Sequence, residues 1–398
     1  MPAPFRSVLF YAQDARGLGH ITRTLTIARH LLDAYPDVVG YVATKSHIAP
    51  NTTFPERCDF IKLPSRRTPK TLVEDDDEVG RAHFRRLRSQ MLRDLALGLA
   101  PDLVLVDHEP LGAMGEFRDG LWALRTACRH TRFIFGLRDI MDDPERIRAQ
   151  WRELGVYEAL EHVYDGIAVY GSPRLYDVAQ AYDIPASVRH KLHYCGFIVR
   201  DPPTADPAAL RQEFDLPARA PVVLATVGSG SDGYPVLEAA QAAVRCLQER
   251  YPELHSVMVT GPFMPPEERA RLEARAPRAC RVVSFADNFK LMAAADVILS
   301  MGGYNSVCEA LVTGRPLVIV PRATHKVEQQ IRAETLAAHG LARWVHPREL
   351  SGHKLSAALE WALCRDRQGH ERLVREVVPS FDGATRLVTY LSRWLRTD

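Results

Sequence analysis

Long hydrophobic runs are absent from this sequence, neither sign of charge is in large excess, and cysteine is sparse and without paired spacing. No apolar stretch approaches the ~20 residues that a membrane-spanning helix needs. The N-terminus leads directly into a strand-like segment, 7–12, which leaves no room for a secretion leader. Formal net charge is only +2, so the total calls for neither nucleic acid nor a membrane surface. The seven cysteines (Cys58, Cys128, Cys195, Cys246, Cys280, Cys308, Cys364) are odd in number, and none forms a Cys-x-x-Cys pair. That excludes a complete disulfide framework and points to reduced, mostly buried thiols. The expectation is a soluble, cytoplasmic protein.

What is present is the composition of a globular protein, 46% hydrophobic and 25% charged over 398 residues, long enough for two cores. Apolar runs at 8–12, 38–43, 60–63, 103–106, 133–137 and 166–170 alternate with helical patterns. The same grammar resumes at 222–227, 257–260, 282–284, 297–300 and 317–320. Strands that are apolar throughout and separated by helices predict α/β architecture with parallel sheets covered on both faces. The proline-rich stretch 198–207 lies between the halves and reads as a hinge. Two Rossmann-like, doubly wound domains are expected, over 1–200 and 201–383. An amphipathic C-terminal segment, 384–398, follows. In such sheets ligands bind beyond the carboxyl ends of the strands, so those loops carry the functional reading.

The most informative loop is Ser300-Met301-Gly302-Gly303-Tyr304-Asn305-Ser306-Val307-Cys308-Glu309-Ala310-Leu311. Two glycines between a buried strand and a helix let backbone approach a ligand. Asn305 and Ser306 fall where first-turn N–H groups point outward, an anion site suited to pyrophosphate. Glu309, one turn in, can accept hydrogen bonds from ribose hydroxyls. A capping box, Ser306-x-x-Glu309, is the structural alternative for the same residues. The motif resembles the nucleotide-sugar signature of glycosyltransferases of the GT-B fold, two Rossmann-like domains facing across a cleft. From 282 to about 345 the resemblance is to family 28, the peptidoglycan lipid-linked N-acetylglucosaminyltransferases. It implies uracil packing at Phe285 and the Ala286 backbone, with Phe285 as ordinary core the alternative. It also implies sugar hydroxyls read by Glu328 and Gln329, or by Gln329 and Gln330, with Arg332 next in the pattern. Gly228, Ser229 and Gly230 form a further phosphate-facing loop. Met301 departs from the histidine that many small-molecule glycosyltransferases carry there, which shifts leaving-group charge onto the Asn305–Ser306 backbone, the helix dipole and the side chains of Ser229, Arg322 or Lys326.

In the first half, Gly17-Leu18-Gly19-His20 follows the opening strand. A dinucleotide fingerprint fails twice: Thr22 replaces the third glycine, and Ala43-Thr44-Lys45 offers no acidic residue after the second strand, which excludes a nicotinamide or flavin cofactor. The loop instead resembles the Gly-x-Gly-His loop of GT-B enzymes, with Gly17 and Gly19 lining the acceptor side. His20, at a helix start, has the setting of a general base. Plant-type small-molecule (family 1) glycosyltransferases hold the histidine's aspartate at a strand end, which implies Asp107 here, with Glu109 second and Asp14 third.

Other features read as structural. The acidic run 74–78 is a solvated loop rather than a metal-binding Asp-x-Asp. The helix over 81–99 carries Arg81, Arg85, Arg86, Arg88 and Arg93 on a solvated face, with peripheral membrane contact or acceptor steering as the alternative, and Phe84, Leu87, Met91 and Leu95 on its buried face. The segment 138–144 reads as an acceptor-pocket loop.

The resemblance implies an inverting, metal-independent glycosyltransferase without a bound cofactor. Its co-substrate is a nucleotide sugar, a UDP-sugar first, and its acceptor a small molecule, a lipid-linked sugar or a glycan hydroxyl. The rivals are a non-hydrolysing UDP-sugar 2-epimerase and a non-catalytic nucleotide-sugar binding scaffold.

Overall fold

The computed structural model describes residues 6–13, 19–46, 49, 52–65, 78–322, 326–378 and 380–395. The chain divides into two compact units, Met1–Ile198 with Asp382–Asp398, and Val199–Phe381.

The first unit is built on β1 (Arg6–Ala12), β2 (Val38–Thr44), β3 (Cys58–Lys62), β4 (Leu103–Asp107), β5 (Arg132–Arg138), β6 (Gly166–Tyr170) and β7 (Leu192–Tyr194). They form one sheet in the order β3-β2-β1-β4-β5-β6-β7, every pair parallel. The second is built on β8 (Val222–Thr226), β9 (His255–Val259), β10 (Cys280–Val283), β11 (Val297–Ser300), β12 (Leu317–Ile319) and β13 (Ala342–Trp344). Its order is β10-β9-β8-β11-β12-β13, again all parallel. The central strands are buried along nearly their whole length, as helix-covered parallel strands require.

β7 and β13 went unpredicted. Each is a three-residue edge strand, Leu-His-Tyr and Ala-Arg-Trp, only partly buried, so neither offers an apolar run. In both sheets the strand order reverses once, between β1 and β4 and between β8 and β11. The chain leaves the carboxyl ends of those neighbours in opposite directions, which opens a crevice between the departing loops.

The C-terminal helix, Gly383–Leu395, packs against the helix Gly19–Ala34 within the first unit. Leu387, Leu391 and Leu395 are buried on its apolar stripe. Tyr390 stacks on His193 with centroids 4.1 Å apart. A side chain at Gly383 would put its Cβ 2.5 Å from the Phe197 carbonyl, so only glycine lets the returning chain pass there.

None of the seven cysteines is in a disulfide, but only Cys195 and Cys308 are buried; Cys364 is exposed and the rest are half-buried. The expectation of mostly buried thiols is corrected accordingly. The helix Glu78–Leu99 also departs from expectation. Among its described residues Leu92 and Ala96 are buried, Met91 and Leu95 are half-buried and packed against the core, and Phe84 and Leu87 are half-buried. Arg88 turns inward and donates from Nε to Glu116 Oε2 at 2.6 Å. Glu116 is buried, and Tyr11 donates to its other oxygen at 2.7 Å; an unpaired carboxylate there would be costly, which is why an arginine leaves the solvated face.

Candidate functional site

In the first unit the crevice lies between the ends of β1 and β4. β1 and β4 pair with Ala12 opposite Asp107, so Asp107 stands at the sheet's carboxyl edge. His20 is the second residue of the helix that follows β1. Its Nδ1 lies 2.8 Å from Asp107 Oδ2. Arg23, one turn along, forks onto the same carboxylate, with Nε donating to Oδ1 at 2.9 Å and Nη2 to Oδ2 at 2.6 Å. Burial by itself would push the Asp107 carboxyl up; the Arg23 charge and the hydrogen bonds of His20 and Arg23 outweigh it and hold the group at about 2. It is therefore an anion at neutral pH. His108 follows with φ 69°, a left-handed turn that carries its ring to 4.8 Å, centroid to centroid, from His20.

Of the carboxylates weighed as the histidine's partner, Asp107 is the one the structure brings to His20. Glu109 instead acts on Tyr11 and Lys45, and Asp14 lies outside the described residues. So do Gly17, residues 74–77 of the acidic run, and His325; Gly19 begins the helix. The 138–144 segment is tied to Tyr182, whose hydroxyl accepts from Met141 N at 2.7 Å. Arg138 donates to the carbonyls of Ile140 and Met141, and Asp143 caps the helix Pro144–Leu154 through Arg146 N.

In the second unit the crevice lies between β8 and β11, with Ser300 opposite Thr226. The helix Tyr304–Val312 starts directly after Gly303, whose N-cap position carries no side-chain cap. Ser306 is thus inside the first turn and is not a cap, which removes the capping-box alternative. Helix geometry directs the N–H groups of Tyr304, Asn305 and Ser306 out along the axis, where partial positive charge concentrates. Gly302 has φ 81°, and a Cβ there would sit 2.9 Å from Ile319; a Cβ at Gly303 would meet nothing within 4 Å. Gly302 therefore makes the turn, and Gly303 leaves an open approach. Arg332 is buried and donates to the Gly302 carbonyl at 2.9 Å, which fixes the turn from behind. Met301 is buried in the apolar core.

Around this turn the other predicted residues fall on the same carboxyl edge. Gly228 (φ 64°) has open space at its Cβ position, whereas a Cβ at Gly230 would lie 2.1 Å from the Thr260 carbonyl. The close approach at Gly230 is thus to the protein itself. Ser229 accepts Phe263 N at its carbonyl, 2.8 Å. Arg322 pairs with Asp232, tying this loop to the one after β12. Phe285 is 74% exposed, the reverse of a core residue, and Ala286 precedes the Asp287 cap of the helix Asn288–Ala294. Glu328 opens the helix Glu328–Ala338. Gln329 is buried and its Oε1 accepts Arg322 N at 2.9 Å, while Gln330 donates to Glu334 at 2.8 Å.

Glu309 is 7% exposed. Burial raises its carboxyl, and Arg200 opposes that. Arg200 Nε donates to Glu309 Oε1 at 2.6 Å and Nη2 to Asp287 Oδ1 at 2.9 Å, with the guanidinium 5.2 Å from the Phe289 ring centre. Arg200 lay in the segment read as a hinge, and no sequence pattern marked it. Arg23 was legible in principle, because His20 and Arg23 are three apart on one helix and so share a face.

Residues 222–371 match the glycosyltransferase family 28 C-terminal domain. An uncharacterised glycosyltransferase of Methanopyrus kandleri is 28% identical over 225 residues, 53% of this chain and 60% of that relative's length. The UDP-N-acetylglucosamine–N-acetylmuramyl-(pentapeptide) pyrophosphoryl-undecaprenol N-acetylglucosamine transferase of Bartonella tribocorum is 40% identical over 81 residues, 20% of this chain and 21% of that one. The crystal structure of the calicheamicin glycosyltransferase CalG4 superposes with a TM-score of 0.69 at 20% identity, covering 98% of both chains. The fold is GT-B, and residues 222–371 of the second unit match the family 28 C-terminal domain.

Proposed function

We propose that this GT-B protein, with its family 28 C-terminal domain, is an inverting, metal-independent glycosyltransferase that uses a nucleotide sugar, a UDP-sugar first. The observation that carries the reading is the β11 turn, where open space at the Gly303 Cβ position, a helix start with glycine at its N-cap and the buried Glu309 stand together within one matched domain. A diphosphate on the 304–306 N–H groups would gain charge-assisted hydrogen bonds and the helix field. The exposed Phe285 ring offers a stacking surface to the base, with the Ala286 backbone at its edge. Glu309 would take the ribose hydroxyls, and Arg200 is the partner it already holds. Glu328 and its amide neighbours Gln329 and Gln330 would read the sugar. The names of bacterial transferases similar to part of this chain include UDP-N-acetylglucosamine, which supports UDP over other nucleotides.

In the transfer step, His20 Nε2 takes the proton of an acceptor hydroxyl while its oxygen bonds to the anomeric carbon. The bond from that carbon to the diphosphate oxygen breaks on the opposite face, so configuration inverts. The leaving charge falls on the helix N-terminus and nearby cationic groups. Asp107 holds the imidazole and balances the imidazolium that forms.

Calorimetric titration of UDP, dTDP, GDP and ADP into the full chain tests the donor half. UDP should bind selectively and, at a hundredfold excess over its Kd, stabilise by about 2.7 kcal/mol. No binding by any of the four would remove the reading.

A further inference from the structure

The pair at the first crevice is in fact three groups. Arg23 is 2% exposed and Asp107 fully buried, so the ion pair is dry. Arg23 Nη2 lies 2.6 Å from Asp107 Oδ2 and 3.0 Å from His20 Nδ1, and His20 Nδ1 lies 2.8 Å from the same Oδ2. Three atoms in a near-equilateral triangle cannot share one N–H along two edges. With the guanidinium fork committed to both carboxylate oxygens, that geometry assigns the Nδ1 proton to His20, donated to Oδ2. The Arg23 guanidinium also lies 5.7 Å from the Tyr170 ring centre, which closes its other side.

We propose that Arg23 is a positioning residue for the His20 base: it fixes the Asp107 carboxylate in one orientation, and so the His20 tautomer, and cancels the charge that would otherwise trap the imidazole in its protonated form. The proposal rests on the reading of His20 as the base. A buried carboxylate with a histidine as its sole partner favours imidazolium, which has no lone pair for the acceptor proton. Here the carboxylate is already neutralised by a cation that cannot lose its charge, and that cation stands 3.0 Å from the ring nitrogen. His20 keeps the orienting hydrogen bond without the full electrostatic pull. Among the described residues, titratable groups around the triad include Asp107 and His108 at the end of β4 and Tyr170 at the end of β6. Glu109 acts on Tyr11 and Lys45, and Arg386 of the C-terminal helix acts on Cys195, which itself faces Tyr170.

The test is NMR of the full chain labelled with 15N-histidine, with His20→Asn to assign the signal. The native protein should show His20 protonated at Nδ1 in its neutral form. In Arg23→Gln the midpoint of its protonation should move upward by about one pH unit, and Arg23→Lys, which keeps the charge, should reverse most of that shift. An Nε2–H tautomer in the native chain would overturn the proposal, as would a midpoint unmoved or lowered in Arg23→Gln. The tautomer measurement needs no variant, so it decides even where Arg23→Gln fails to fold. Neither readout needs a donor; failure of UDP to bind would count against the proposed function and leave this result standing.

Discussion

At the scale of single residues, the first crevice makes two different demands on Asp107. It must orient His20, and it must stay ionised while fully buried. Arg23 meets the second demand, and the outcome is a stability term with a defined sign. The Asp107 carboxyl is held at about 2, below the roughly 3.9 of an unfolded aspartate. Stability from it is fully present above pH ~4 and is lost as pH falls through about 2, because the unfolded chain binds the proton first. Asp107→Asn should therefore lower stability by about 2–3 kcal/mol at neutral pH, and its unfolding free energy should fall less steeply than the native chain's between pH ~4 and ~2. Denaturant unfolding across that range checks the slope. On the donor side, Phe285→Ala removes an exposed ring and no core contact. The melting temperature should stay within a degree or two, while UDP affinity falls about tenfold, the worth of one base–aromatic stack. Calorimetry with UDP reads the difference.

At the scale of elements, function sits where a strand hands over to a helix. Gly302 and Gly303 are adjacent yet have different work. Gly302→Ala must place a Cβ at φ 81° and 2.9 Å from Ile319, so it should destabilise the fold by about 1–3 kcal/mol. Gly303→Ala meets open space at φ −62°. It should leave the melting temperature unchanged and weaken UDP binding at least tenfold, because the added methyl fills the ligand's approach. Equal melting temperatures for the two variants would contradict this division. How much of these elements was legible follows from the same physics. Central strands such as β4 and β11 are buried on both faces and announce themselves as apolar runs; edge strands β7 and β13 bury too little to leave one. The His20–Asp107 pair was legible because both residues end or follow central strands. Arg200 was not, since its role arises from where a proline-rich segment returns across the β11 helix. Arg88 misled because helical periodicity reports which face is polar and says nothing of a carboxylate, Glu116, waiting beneath it.

At the scale of the whole molecule, one sheet plan is used twice, and each copy has a single reversal of strand order with its chemistry gathered there. One crevice holds an imidazole and an ionised carboxylate. The other holds a helix start with glycine at its N-cap, a buried carboxylate and an exposed aromatic. An imidazole–carboxylate pair alone or a glycine-led helix start alone would be an ordinary feature of a doubly wound sheet; the proposed transfer uses both in one chain. On the proposed mechanism the helix start meets the leaving-group charge, so chelating divalent metals with EDTA should leave turnover within twofold of its untreated value.

The most direct measurement follows the slow hydrolysis of a UDP-sugar by the full chain, with water standing in for the acceptor, using proton NMR to identify the first anomer released. The account predicts that an α-linked donor gives the β-anomer first. His20→Ala should bind UDP as tightly as the native chain and hydrolyse the donor about 10²–10⁴-fold more slowly. Release of the α-anomer, or an undiminished rate in His20→Ala, would contradict it.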